Sequence, residues 1–171
     1  LDGADALMVT GETAMGKFPE KVIQVLTRVI EETESAINYQ DYYISHGNKH
    51  LNTAQAISHA ACSVAYDQDI KILITMTHSG STARMVSRYR PAARIIAMTP
   101  IKEISRQLSI VWGITPIVIN EYNSSSEIQD VANAVLSLEE ILKEGEKYVI
   151  TGGVPVGVPG TTNYLSVFTF A

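Results

Sequence analysis

Apolar residues along this chain switch between two spacings, and the switches mark its elements. From 71 to 76 the run Lys-Ile-Leu-Ile-Thr-Met is almost continuously apolar and halts at Thr77, His78, Ser79, Gly80, Ser81 and Thr82. Apolar positions then resume at helical spacing, which predicts a buried strand, a tight turn and a helix over 82–89. The same reading predicts a strand at 6–9 and, behind Pro19, a helix over 20–37 with Val22, Ile23, Leu26, Val29 and Ile30 on one stripe. Glu31, Glu32 and Glu34 fall on its solvated side.

A second unit begins at Thr53 with a small-residue stripe, Ala54, Ile57, Ala61, Val64 and Ala65, suited to close packing. Strands at 94–98, 115–119, 147–150 and 164–170 follow, separated by a polar helix at 101–108 and a further helix. Ser124 and Glu127 have the spacing of a capping box for that helix, whose apolar positions are Ile128, Val131, Ala132, Val135 and Leu138. Strands alternating with helices imply an α/β fold with a mostly parallel sheet covered on both faces, a three-layer α/β/α arrangement.

Ligands of such sheets lie beyond the carboxyl ends of the strands. Two glycine-bearing loops leave strand ends here, at 77–82 and at 152–162. In the first, a helix start offers free N–H groups and a positive dipole end, Gly80 leaves room for close approach, and Thr77, Ser79, Ser81 and Thr82 add hydroxyls, which is anion-binding chemistry. Read structurally instead, Thr77 or Ser79 caps the helix and Gly80 relieves a strained turn. If the loops converge, phosphate binding gains weight; if not, the second is a connection between the last two strands.

Charge and cysteine content narrow the partners. A formal charge of −5 argues against nucleic acid and anionic membranes as general partners. No apolar run approaches the roughly 18 residues of a membrane span, and a reducing cytoplasm is expected. Cys62 is the single cysteine, which rules out an internal disulfide and a multi-cysteine metal site, and its alanine-rich surroundings suit a packed thiol. His46 and His50 have the i, i+4 spacing of a metal pair, but Gly47 stands between them and no carboxylate is near, so the expectation is no metal site.

The chain starts without Met, a few residues before an apolar run, from which an internal boundary of a larger fold is expected. The first nineteen residues carry the reason: Asp2-Gly-Ala-Asp-Ala-Leu-Met-Val-Thr-Gly-Glu-Thr-Ala-Met-Gly-Lys-Phe-Pro19 resembles the segment of pyruvate kinases that forms the last strand of their catalytic barrel and the loop beyond. Thr77-x-Ser79-Gly80-x-Thr82-Ala83, Arg90-Pro91, Trp112-Gly113 with Pro116, and Gly160-Thr161-Thr162-Asn163 follow in that family's order. The likeness extends over essentially the whole chain.

The resemblance implies residues 1–37 as the terminal strand, loop and helix of a (β/α)8 barrel, 38–52 as a linker, and 53–171 as a C-terminal α/β domain for regulation and subunit contact. It implies phosphoryl transfer from phosphoenolpyruvate to ADP with Mg2+ and K+ in the whole enzyme, a homotetramer, and catalytic residues lying upstream, so that this portion alone is inactive. Thr10 and Glu12, at a barrel strand's end, are rim candidates or else fix their loop by hydrogen bonds. Effector phosphate is expected on Thr77, His78, Ser79, Gly80, Ser81 and Thr82, with Gly157, Gly160 and Thr161 as a second effector loop.

Three departures from the family pattern bear on this. Thr10 replaces a more usual serine, Arg94 stands where proline is common and predicts altered pairing there, and no Lys or Arg occurs between Gln107 and Leu142. Without a cation in that stretch a second phosphate loses charge-assisted hydrogen bonds, so a monophosphate, or no effector, is expected. A free-standing phosphate-binding module of the same fold is the competing function; the barrel-like opening residues count against it. A complete small enzyme would need a catalytic set that the sequence does not contain.

Overall fold

The computed structural model describes residues 3–39, 51–122, 124, 126–158 and 160–171. The order of elements is α1 (Gly11–Ala14), α2 (Pro19–Ser35), α3 (Thr53–Asp67), β1 (Ile72–Met76), α4 (Ser81–Arg88), β2 (Arg94–Thr99), α5 (Lys102–Leu108), β3 (Ile114–Val118), α6 (Glu127–Leu138), β4 (Lys147–Gly153) and β5 (Thr162–Thr169). The histidine pair and most of the expected linker lie outside the described residues.

The sheet runs β3-β2-β1-β4-β5. Strand β1 pairs in parallel with β2 through Ile74↔Ile96 and with β4 through Ile74↔Ile150, whereas β4 and β5 are antiparallel through Tyr148↔Phe168. All five residues of β1 are buried, as a central parallel strand requires. Alternation divides the strands between two cores. Leu73, Ile95, Ala97 and Val149 meet Ala61, Cys62, Ala65, Ala83, Val86 and Leu108 of α3, α4 and α5. Ile72, Ile74, Met76, Ile96, Met98, Tyr148 and Ile150 meet Ile128, Ala132 and Leu136 of α6 on the opposite face. These are the three layers that alternating strands and helices predict.

Several local expectations are corrected. Residues 6–9 form no strand: a barrel strand needs neighbours on both edges, and no ladder to this segment exists among the described residues. Helix α2 has its expected stripe but buries none of it, with Ile23, Val25, Val29 and Ile30 exposed. The capping box belongs to α3 instead, where Asn52 Oδ1 accepts from Gln55 N–H at 2.9 Å and Asn52 N–H donates to Gln55 Oε1 at 3.1 Å. At α6 the helix starts after Ser126, and Ser124 spends its hydroxyl on the Glu127 carboxylate at 2.9 Å. Arg94 opens an interior strand in regular register with Ile72, and its backbone N–H donates to Lys71 O at 2.8 Å, a bond that proline could not make, while its Nε donates to Thr115 Oγ1 at 3.2 Å.

Candidate functional site

Strand order reverses at β1: the chain moves outward from it to β2 and β3, then returns to β4 on its other side. The carboxyl ends of β1 and β4 therefore flank the crevice where doubly wound sheets hold ligands. Both glycine-bearing loops leave from these two ends. Gly152 lets them come close, because a Cβ there would stand 3.1 Å from Met76 Cβ.

After Met76 the chain stays bonded to β2 for one residue, Thr77 N–H donating to Met98 O at 3.0 Å. The turn then closes on itself as Thr77 Oγ1 accepts from Gly80 N–H at 2.9 Å. Gly80 has φ +79°, and it enters α4 without a capping side chain of its own. Ser79 Oγ donates to Ser81 Oγ at 3.1 Å and accepts a long 3.4 Å bond from Ser81 N–H. Arg84 N–H makes the first intrahelical bond, on Gly80 O at 3.0 Å, so the N–H groups of Thr82 and Ala83 belong to the open first turn. Capping and anion-binding features thus coexist: Thr77 is committed to the turn, while the Ser79 and Ser81 hydroxyls are only loosely engaged.

The second loop is braced by its own side chains. Asn163 bridges Val154, accepting from its N–H at 2.9 Å and donating to its carbonyl at 2.7 Å, and Thr161 Oγ1 donates to Val158 O at 2.7 Å. The loops are tied together by the Thr82 and Thr162 hydroxyls, 2.7 Å apart and almost wholly buried. Together they enclose an open recess of ≈ 310 Å³, solvent at its mouth included, lined by Thr77, His78, Ser79, Ser81, Thr82, Gly157, Gly160 and Thr161 among others.

The structure therefore gathers the sequence-predicted residues in one place, with Gly80 shaping the turn beneath them. Sequence reasoning missed Tyr122, which enters from beyond β3 and sets its ring 5.8 Å from that of His78. Burial pushes the Tyr122 phenol up to about 12, so at neutral pH it is an uncharged wall. Among the described residues no Asp or Glu lines the recess, His78 brings an imidazole to it, and Arg84 donates to Ser79 O at 3.2 Å. Donors converge on a volume into which no described carboxylate reaches, a setting for an anion.

Thr10 and Glu12 are placed elsewhere, at the exposed start of α1. Their polar groups serve their own loop: Thr10 N–H donates to Glu12 Oε2 at 3.3 Å, and Thr13 Oγ1 donates to Thr10 O at 3.2 Å. Hydrogen bonds from the backbone N–H of Glu12 and then of Thr10 hold the Glu12 carboxyl below its ordinary range.

A direct consequence concerns the hydroxyl pair joining the loops. Thr82→Val keeps shape but leaves the buried Thr162 hydroxyl without its partner, which costs about 1–3 kcal/mol. The expected result is a lowered urea midpoint and faster amide exchange across residues 154–161. Unchanged exchange there would show that the loop is held by Asn163 and Thr161 alone.

Comparison with known proteins follows the same lines. A family model described as the pyruvate kinase alpha/beta domain matches residues 55–168. A pyruvate kinase of Clostridium acetobutylicum is 37% identical over 167 residues, covering 97% of this chain and 35% of that protein. One from Sporosarcina psychrophila is 38% identical over 167 residues, with 97% and 28% covered. A Cryptosporidium parvum pyruvate kinase structure superposes with a TM-score of 0.86 at 32% identity, over 99% of this chain and 34% of that one. The chain spans about a third of the length of these relatives or less.

Proposed function

The chain belongs to the pyruvate kinase family, and from that premise we propose that it supplies the regulatory and subunit-contact part of a cytoplasmic, homotetrameric enzyme transferring phosphate from phosphoenolpyruvate to ADP. Residues 1–37 are the barrel's closing β/α unit in this reading, and the chain on its own is inactive. The observation that carries the reading is the recess at the β1/β4 switch point, with helix N–H groups, hydroxyls and glycines converging where no carboxylate of the described residues intrudes.

A phosphate monoester suits this recess. Its oxygens would meet the N–H groups of Thr82 and Ala83 and the hydroxyls of Ser79 and Ser81, with the positive end of α4 aimed at the charge. His78 adds a third kind of donor. The absence of Lys and Arg from 107–142 leaves a second phosphate without a charged partner from that stretch, which favours a nucleotide or sugar monophosphate over a bisphosphate.

Mg2+ and K+ serve the whole enzyme in this proposal. Among the described residues no three His, Cys, Asp or Glu side chains converge as ligands, and no step here runs through a metal. No described helix is long and apolar enough to cross a bilayer.

Titration with AMP, ribose 5-phosphate and fructose 1,6-bisphosphate, followed by amide shifts of residues 77–82, tests the site. Saturable shifts are expected with both monophosphates and no tighter binding of the bisphosphate. Ser79→Ala should weaken binding about tenfold, the worth of one hydrogen bond to a charged group. Absence of shifts with all three ligands would reduce the turn to a structural cap.

A further inference from the structure

Helix α4 begins at the recess and ends at a second constellation that the phosphate reading leaves unused. Two residues beyond its last turn, Arg90 takes a left-handed backbone, φ +47°, at the position where helices commonly place glycine. Its guanidinium is nearly fully buried. Nη2 donates to Gly3 O at 2.7 Å, Ala4 O at 3.1 Å and Asp5 Oδ1 at 2.7 Å. The guanidinium carbon lies 4.6 Å from the centre of the Trp112 ring, close enough for a cation–π contact. Trp112 in turn donates from Nε1 to Glu34 Oε1 of α2 at 3.0 Å, and its carbonyl accepts from Ser87 Oγ of α4 at 2.6 Å. Arg90 Nη1 is buried without a partner among the described residues.

One side chain thus grips the N-terminal segment while the ring stacked on it grips α2. The grip is built on two unfavourable features, a non-glycine residue in left-handed conformation and an unpaired buried donor. Features of that kind persist where the surroundings hold them and mark elements with a second accessible arrangement.

The geometry points to α4 as a coupler: occupancy of the recess by a phosphate and closure of the Arg90–Trp112 clamp on residues 3–5 and Glu34 favour each other. This rests on the recess being a phosphate site. An anion drawn to the first turn of α4 acts on a helix only about 12 Å long. Thr82, Ala83, Val86 and Ser87 are buried along its inner face, and a close-packed face passes a displacement on where a loose one would absorb it. The clamp's attachment points, Ser87 and Arg90, sit at its far end. At the near end Arg84 ties the helix to the turn through Ser79 O. Effector binding would in this way set how firmly the α/β domain holds the segment before it, and linkage makes the effect reciprocal.

Trp112 is the single tryptophan of the sequence, so its emission reports the clamp alone. Inorganic phosphate and ribose 5-phosphate are titrated into the chain while Trp112 emission and the amide shifts of residues 77–82 are recorded together. Both signals are expected to change with one midpoint. Arg90→Met and Asp5→Asn, neither at a residue lining the recess, should each weaken phosphate binding by about fivefold or more. Asp5 has a half-exposed side chain, so Asp5→Asn keeps the test standing if the arginine variant does not fold. Amide shifts with a silent Trp112, or with affinity unchanged in Asp5→Asn, would overturn the coupling and leave the phosphate site intact. No amide shift with either ligand would overturn both.

Discussion

Gly80→Val is expected to cost the fold about 2–5 kcal/mol, combining a left-handed conformation unsuited to a side chain with crowding beneath the turn, and to abolish phosphate binding. The crowding is specific. A Cβ at this position collides with Arg84 Nη1 and stands 3.2 Å from Leu108 Cδ2 and 3.3 Å from Ile104 Cγ2. Arg84 is flexible and yields, but only by giving up its bond to Ser79 O. Leu108 is fully buried and has less room to yield. Gly157→Ala separates the two causes, because Gly157 has the same φ of +79° with nothing within 4 Å of its Cβ. That variant should lose only the strain, about 1–2 kcal/mol. Urea unfolding followed by far-ultraviolet circular dichroism measures both, and equal losses would show that crowding at Gly80 contributes nothing.

Elements with one clear spacing were legible before any coordinates. The run through Ile72, Leu73 and Ile74 is apolar because both faces of β1 are covered, and the hydroxyl-and-glycine halt after it is the turn itself. Helix phase was less secure. For α6 the expected stripe included Leu138, which is 83% exposed, whereas Leu136 is fully buried; the true stripe Ile128, Ala132, Leu136 advances by four at each step, and apolar residues on neighbouring phases hide it.

Non-local features could not be read from local pattern. A strand at 6–9 depends on ladder partners that the described residues do not supply, and the antiparallel direction of β5 is set by pairing rather than by its own residues. Tyr122 reaches the recess because β3 ends opposite the loop after β1, and an aromatic in an irregular segment gives no sign of that. In the sequence Arg90 and Trp112 stand only as parts of separate motifs. Their contact across α4 and the segment after α5 exists only once β2 and β3 are side by side. What sequence gave for the recess was its two halves; what the fold added was the switch point that joins them.

Alkaline pH should destabilise the chain between about pH 9 and pH 12 through three buried protonated groups. Burial pushes the Tyr148 phenol up to about 12, with the nearby Tyr164 adding to the effect, and burial alone does the same for Tyr122 and for the Cys62 thiol. In the unfolded chain these groups ionise near their ordinary values of 10.0 and 9.0. The folded state therefore holds its protons more tightly. Below about pH 9 both states are protonated and the contribution is fully present; above it the unfolded chain releases protons first, and stability falls until about pH 12. At about 1.4 kcal/mol per pH unit, each group withdraws at most about 3–4 kcal/mol across that window, and the two phenols withdraw less because solvent screens them in part. Tyrosinate absorbance should accordingly rise in two stages, with the exposed rings first and the late stage coinciding with loss of circular dichroism. Tyr148→Phe should flatten the pH dependence while lowering stability near neutrality, since Asn133 Oδ1 loses the hydroxyl that donates to it at 2.6 Å. A single smooth titration near pH 10 with the fold intact would mean that water reaches these rings in the folded chain, and the core on the α6 side of the sheet would then be looser than its packing implies.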